Sequence, residues 1–230
     1  MKYEYLFLDL DDTIFDFAAT ERKSIKKVLD IVGVAPTEEI LHRYHVINLD
    51  HWKMLERGEI TRDELGTRRF EVLFRELGVQ ADAKVCEDHY RRFLSEGDDV
   101  LPGADQAVKA LSKKYRLFAA TNSTVPVQLG RLERTGLGKY FEQLFISEDL
   151  GASKPNPKFY ELAFARIENF CKEKAVMVGD SLSSDIQGGK NAGITTVWIN
   201  HRHADGSRVG PDYEIESLAQ LEELLENIDR

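Results

Sequence analysis

The chain has 230 residues, with 31 Lys and Arg against 40 Asp and Glu, and so a formal net charge of −9. No apolar run nears the ~20 residues that span a bilayer, and Tyr5–Leu10 is too short for the apolar segment of a signal peptide. The acidic balance works against non-specific binding of a nucleic-acid polymer, whose phosphates call for a basic face. Cys86 and Cys171 offer neither a disulfide framework nor a zinc pair, which favours a reducing, cytoplasmic setting.

In chain order, the first apolar run is Tyr5–Asp9. Between about Phe17 and Glu96, apolar residues recur three and four apart among charged ones, the period of a helix. Thr61-Arg62-Asp63-Glu64 is a capping box that starts a helix at Thr61. Gly33 to Pro36, Gly58 and Gly78 mark the joints between about four helices. Beyond this block, short apolar runs lie at Arg116–Thr121, Leu144–Ser147, Ala175–Gly179 and Thr195–Asn200. Helical patterns alternate with them at Ala104–Lys114, Val127–Thr135, Lys158–Phe170 and Ser184–Ala192. A last one covers Ser217–Ile228, opened by a second capping box from Ser217 to Gln220.

Apolar runs without alternation are what strands covered on both faces of a parallel sheet require. The expected fold is therefore α/β, an open parallel sheet formed by residues 1–16 and 98–230, with an inserted helical domain over 17–97. Ligands of such sheets bind beyond the carboxyl ends of the strands. The residues there are chemical: Asp9-Leu10-Asp11-Asp12-Thr13, Thr121-Asn122-Ser123, Lys154-Pro155-Asn156-Pro157, and Gly179-Asp180-Ser181 with Asp185 five positions after Asp180.

Brought together, Asp9, Asp11, Asp180 and Asp185 repel one another, and a hard divalent cation resolves that conflict. Oxygen-only ligands favour magnesium or calcium over zinc, and a site with few carboxylates and open positions suits Mg²⁺. Lys154 adds a fixed positive charge, while Thr121 and Asn122 add neutral donors; these are the parts that stabilise a transferring phosphoryl group. No Ser–His or Cys–His pairing stands out, so the nucleophile is read as the Asp9 carboxylate. Asp11 is read as the group that protonates the leaving alkoxide and then deprotonates the attacking water.

In order and context these four clusters resemble the motifs of the haloacid dehalogenase superfamily. The resemblance implies a Rossmann-like sheet with a helical cap inserted after the first motif, and Mg²⁺-dependent phosphatase chemistry. It implies Asp9 as nucleophile and Asp11 as acid–base. It implies that the metal is held by the Asp9 carboxylate, the Asp11 main-chain carbonyl and Asp180, with Asp185 just behind them. Thr121, Asn122 and Lys154 would hold the phosphoryl group. Arg131-Leu132-Glu133-Arg134-Thr135-Gly136-Leu137, Lys154 to Pro157 and the stretch from Gly179 to Gly193 are similar to the bacterial pyrimidine 5′-nucleotidase subgroup. Asp12 fits that subgroup, whereas Ser123 departs from the glycine it often carries. The implied substrate is a small phosphate ester, first of all a pyrimidine nucleoside 5′-monophosphate, handled by a monomer or homodimer without nucleic-acid polymer or membrane.

Other residues have plainer readings. Asp12 is a turn residue and Thr13 a loop-orienting one, while Gly188 and Gly189 are close-packing positions without the spacing of a phosphate-binding loop. Among His45, His51, Trp52, Arg57 and Arg69 of the insert, Trp52 is the candidate substrate contact, and packing or solvation suits the rest. Ser123 joins Asn122 as a candidate substrate contact, and His201 and His203 are placed in a surface loop. The competing functions are a sugar-phosphate phosphatase or phosphomutase on the same scaffold, and a phospho-ligand binding module without catalysis. Binding alone needs no nucleophile, and dehalogenation needs neither Asp11 nor the metal-binding acids.

Overall fold

The computed structural model describes residues 2–228. It divides into two compact units, Met1–Phe17 with Asp98–Arg230, and Ala18–Gly97. The first unit carries a six-stranded sheet in the order β3-β2-β1-β4-β5-β6, every neighbouring pair parallel. Its strands are β1 (Tyr5–Leu8), β2 (Arg116–Thr121), β3 (Gln143–Ile146), β4 (Ala175–Gly179), β5 (Thr195–Ile199) and β6 (Tyr213–Ile215). The short β6, Tyr-Glu-Ile, carries too few apolar residues to announce itself in the sequence.

β1 lies at the centre, with Leu8 opposite Ala119 on one side and Val178 on the other. Successive side chains of a strand leave on opposite faces. Leu6 and Leu8 join Val108 and Leu111 of α5 (Ala104–Leu111) and Leu221 and Leu225 of α10 (Leu221–Ile228). Tyr5 and Phe7 join Phe118, Phe145, and Phe159 and Tyr160 of α8 (Pro157–Phe164). The Phe7, Phe118 and Phe145 rings stack with centroids 5.3–6.0 Å apart, each such pair adding ~0.5–1.5 kcal/mol to its burial. The chain runs from β1 to β2 and β3 on one side, then to β4, β5 and β6 on the other, so the order reverses beside β1. That reversal is where an open α/β sheet leaves a crevice.

Three local expectations need correction. The helix expected to run to Phe170 ends at Phe164, because tight turns and the left-handed Asn169 (φ 54°) redirect the chain there. The helix expected from Ser184 is α9 (Gln187–Ala192) preceded by a wide π turn over Leu182–Ile186. The second capping box does not form: Ser217 opens a 3₁₀ turn without a side-chain cap, and Gln220 accepts from Glu216 N–H at 2.7 Å instead. The sequence pattern also lacks the short α7 (Ser147–Leu150), whereas α6 (Val125–Thr135) starts two residues before the apolar pattern does.

The second unit is made of α1 (Phe17–Ile31, its first residue belonging to the sheet unit), α2 (Glu38–Glu56), α3 (Arg62–Leu77) and α4 (Ala83–Ser95). The Thr61 capping box is made from both sides, with Thr61 Oγ1 accepting Glu64 N–H and Glu64 Oε2 accepting Thr61 N–H at 2.8 Å. Tyr44, Phe70 and Tyr90 form its aromatic centre, with ring centroids 5.5–5.7 Å apart. No described helix is long and apolar enough to cross a membrane.

Candidate active site

The site is built at the carboxyl ends of β1, β2 and β4. Asp9 follows β1 directly and its N–H donates to Val178 O at 2.9 Å, which extends the β1–β4 ladder by one residue and fixes where the carboxylate emerges. Asp180 follows β4, and its main-chain carbonyl accepts the Trp198 Nε1–H of β5 at 2.8 Å. Asp185 sits in the π turn, where Asp185 N–H and Ile186 N–H both donate to Ser181 O. Its Oδ2 accepts Ser181 N–H at 3.0 Å, so the turn is closed on its own carboxylate. A Cβ at Gly179 would stand 2.2 Å from that same oxygen. Glycine there lets the β4 backbone and the Asp185 carboxylate share one space.

One carboxylate oxygen each from Asp9, Asp180 and Asp185 lies within 4.8 Å of the others. Lys154 is buried with them, and its Nζ donates to Asp9 Oδ1 at 2.7 Å, to Asp185 Oδ1 at 2.6 Å and to the Ala120 carbonyl. All three ammonium protons are thereby used. Burial pushes the Asp9 carboxyl well above its ordinary range; Lys154 pulls it back, and Asp185 and Asp11 add to the rise. Burial likewise raises Asp180, reinforced by Asp185, Asp9 and Asp12. Burial pulls Lys154 down, but Asp185 and Asp9 outweigh it and hold the ammonium charged. Two buried acids paired with one cation, and the half-buried Asp180 beside them, leave an excess of negative charge in a largely enclosed space. An all-oxygen donor set of that charge fits a hard divalent metal ion.

The segment bearing Lys154 is clasped by Asn122, whose Nδ2 donates to Lys154 O and whose Oδ1 accepts Lys154 N–H, both at 2.8 Å. The Asn122 side chain thus holds protein backbone by both ends. Thr121, at the tip of β2, is buried, and Ser123 beside it is half-buried. Asp11 is turned elsewhere: Gln128 Nε2 donates to its Oδ2 at 2.8 Å, and Arg131 Nη1 donates to its Oδ1. Gln128 Nε2 is also 3.3 Å from Thr121 Oγ1.

Asp12 adopts a left-handed conformation (φ 54°) and its Oδ1 accepts the N–H of Phe17 at 3.1 Å, a turn-and-cap role. Thr13 is buried, and its hydroxyl has no hydrogen-bond partner among the described residues. His201, on the exposed loop after β5, donates Nε2–H to the Asp12 carbonyl at 2.9 Å, a contact the sequence does not announce. Trp52 lies half-buried on α2 of the helical unit, with the Arg62 guanidinium 5.6 Å over its ring. Gln128 and Arg131 are the site residues that sequence reasoning overlooked as such. The available signal was two polar side chains at i and i+3, the spacing of one helix face, within the apolar stripe of α6.

A family model for haloacid dehalogenase-like hydrolases matches residues 3–193. The chain is a member of that family. A pyrimidine 5′-nucleotidase from Streptococcus pneumoniae, PynA, is 40% identical over 228 residues, covering 98% of this chain and 96% of that one. The pyrimidine 5′-nucleotidase YjjG of Escherichia coli is 33% identical over 226 residues, covering 98% and 99%. A crystal structure of the Bacillus subtilis HAD-hydrolase YfnB, bound to magnesium and described as revealing interdomain movement, superposes with a TM-score of 0.93. It is 36% identical and covers 98% of this chain and all of that one. The fold and the hydrolase family thus agree with the expectations drawn from the sequence motifs. Of the four acids expected together, Asp9, Asp180 and Asp185 are gathered, whereas the Asp11 side chain is not.

Proposed function

We propose that this haloacid dehalogenase-like hydrolase is a Mg²⁺-dependent phosphomonoesterase whose preferred substrates are pyrimidine nucleoside 5′-monophosphates. The observation that carries the reading is the cluster of Asp9, Asp180 and Asp185 at the β1–β4 crevice, in which Lys154 pairs with Asp9 and Asp185. The metal would be held by Asp9, Asp180 and the Asp11 main-chain carbonyl, with Asp185 behind them, and when bound it would neutralise charge on the phosphoryl oxygens.

The protein's own groups then account for the reaction. The free Asp9 oxygen attacks phosphorus, and the bond to the ester oxygen breaks as Asp11 gives that oxygen a proton. The nucleoside leaves with its 5′-hydroxyl restored and the phosphoryl group is carried on Asp9. A water then attacks the same phosphorus while Asp11 takes its proton, releasing inorganic phosphate and regenerating both carboxyl groups. Lys154 fixes the reactive rotamer of Asp9 and balances its charge, and Asn122 fixes Lys154. Thr121 and Ser123 are read as donors to the phosphoryl oxygens.

The helical unit is read as a cap that excludes water and selects the leaving group, with Trp52 as its candidate base contact. The interdomain movement described for YfnB supports that role. The two unpaired cysteines support a cytoplasmic setting. The choice of pyrimidine nucleotides rests on the activity named for PynA and YjjG. Phosphate release from thymidine and uridine 5′-monophosphates, a purine nucleotide and a sugar phosphate, with Mg²⁺ and with EDTA, tests the whole reading. Turnover of the pyrimidine nucleotides that EDTA abolishes is expected. Preference for the sugar phosphate would overturn the substrate class, and no turnover of any ester would favour a binding module.

A further inference from the structure

We propose that Gln128 and Arg131 of α6 are positioning residues for the acid–base step, gripping the Asp11 carboxylate by both of its oxygens. The inference deepens, and rests on, the assignment of Asp11 as the acid–base group. Spaced three apart on α6, both side chains are fully buried. Arg131 takes Oδ1, while Gln128 takes Oδ2 at 2.8 Å. The same Gln128 amide nitrogen reaches Thr121 Oγ1 at 3.3 Å, so one side chain sets Asp11 against the β2 tip. The Arg131 guanidinium also lies 4.2 Å over the Phe15 ring. Phe15 belongs to the loop that carries Asp11: Phe15 N–H donates to Leu10 O and Asp12 N–H to Phe15 O, each at 2.8 Å. Arg131 therefore touches that loop at its side chain and at its fold-back.

A purely structural role fits this arginine poorly. Arg69, buried in the helical unit, donates through Nε, Nη1 and Nη2 to Glu87 and Asn48. Arg131 Nε and Nη2, and Gln128 Oε1, have no hydrogen-bond partner among the described residues. A buried guanidinium with unpaired donors costs stability that an apolar side chain of similar size would not. What Arg131 obtains in return is a single carboxylate, and that carboxylate is Asp11. Asp11, in turn, is not among the acids gathered within 4.8 Å around Lys154. The grip on both oxygens holds the Asp11 side chain apart from that cluster, leaving only its main-chain carbonyl for the metal.

The test compares kcat/KM on two esters with Mg²⁺ present. Thymidine 5′-monophosphate has an alkyl leaving group that needs a proton, whereas 4-nitrophenyl phosphate has an aryl one that departs without it. Asp11→Asn is expected to lose ~10²–10⁴-fold on the nucleotide and far less on the aryl ester. Arg131→Met is expected to reproduce that discrimination with a loss of about 10²-fold on the nucleotide, the scale of misplacing a reacting group. Gln128→Met should show the same bias at about tenfold, one hydrogen bond's worth. In the Asp11→Asn background neither further substitution should cost more than about twofold, because both act through a group already removed.

Equal losses on the two esters, or losses that add to that of Asp11→Asn, would overturn the inference and leave both residues as support for the fold. If Arg131→Met fails to fold, Gln128→Met, which removes no charge, decides between the two roles alone. Discrimination by Asp11→Asn with none by Arg131→Met and Gln128→Met overturns this inference only. No discrimination by Asp11→Asn overturns the acid–base assignment, and this inference falls with it.

Discussion

Both units of the chain bury charged side chains, and they do so in opposite ways. In the helical unit, Arg69 meets Glu87 at 2.6 Å and Asn48 at 2.7 Å, while Arg91 takes the other Glu87 oxygen at 2.6 Å. Asn48 and His45 take one oxygen each of Glu21, at 2.6 and 2.7 Å. Every carboxylate oxygen of that network has a donor. In the sheet unit, Lys154 pairs with Asp9 and Asp185 and gives its third proton to the Ala120 carbonyl, and Asp180 beside them forms no ion pair among the described residues. Buried charges that close among themselves hold helices together. Buried charges left in excess mark a place built for something else, and here the excess has the sign and donor type of a cation site.

The sharpest way to break this contrast is to substitute one member on each side. Asp9→Asn is expected to lower turnover by at least about 10⁴-fold, on the scale of removing a nucleophile, while circular dichroism shows an unchanged fold. Wild-type rates in that variant would mean that Asp9 is not the nucleophile. On the balanced side, Arg69→Met leaves Glu87 with only its Arg91 contact and Asn48 without a donor. Breaking a buried pair costs ~3–5 kcal/mol, so calorimetry should show a melting transition lower by roughly ten degrees. A midpoint within about a degree of wild type would show that the network contributes little.

The same contrast explains what can be read from the sequence. The motifs at the strand ends are legible because chemistry restricts them: carboxylates, a lysine and small donors, each following an apolar run. The central strands are legible because both faces are covered, so Tyr5–Leu8 and Ala175–Gly179 read as unbroken apolar segments. β6 is not, since only one of its three residues is buried. The Ser217 box fails although its residue types are right, because Gln220 finds a closer donor in Glu216. Gln128 and Arg131 escape because a polar residue on a helix reads as solvated until its neighbours are known. The Arg69–Glu87 network escapes for the same reason: charges 18 positions apart carry no local signature.

The smallest effect separates the cluster's electrostatics from its chemistry. Asp9 and Asp180 are held above their ordinary values, so the folded protein keeps protons that the unfolded chain releases. Their contribution to stability is full below about pH 4 and is lost as pH rises through the elevated values of the folded state. At neutral pH without a divalent ion, these acids therefore work against folding. Asp180→Asn removes one of them, and its side chain forms no ion pair that the substitution would break among the described residues. In EDTA at about pH 7.5 the variant should melt higher than wild type, by ~2–4 °C for each kcal/mol relieved, and the gap should narrow by about pH 5. Mg²⁺ should raise the wild-type midpoint, more at the higher pH than at the lower because the ligands must be deprotonated, and should do little for the variant. A wild-type midpoint indifferent to Mg²⁺, beside an Asp180→Asn midpoint that falls, would place the acids of this cluster with the self-satisfied network of the helical unit.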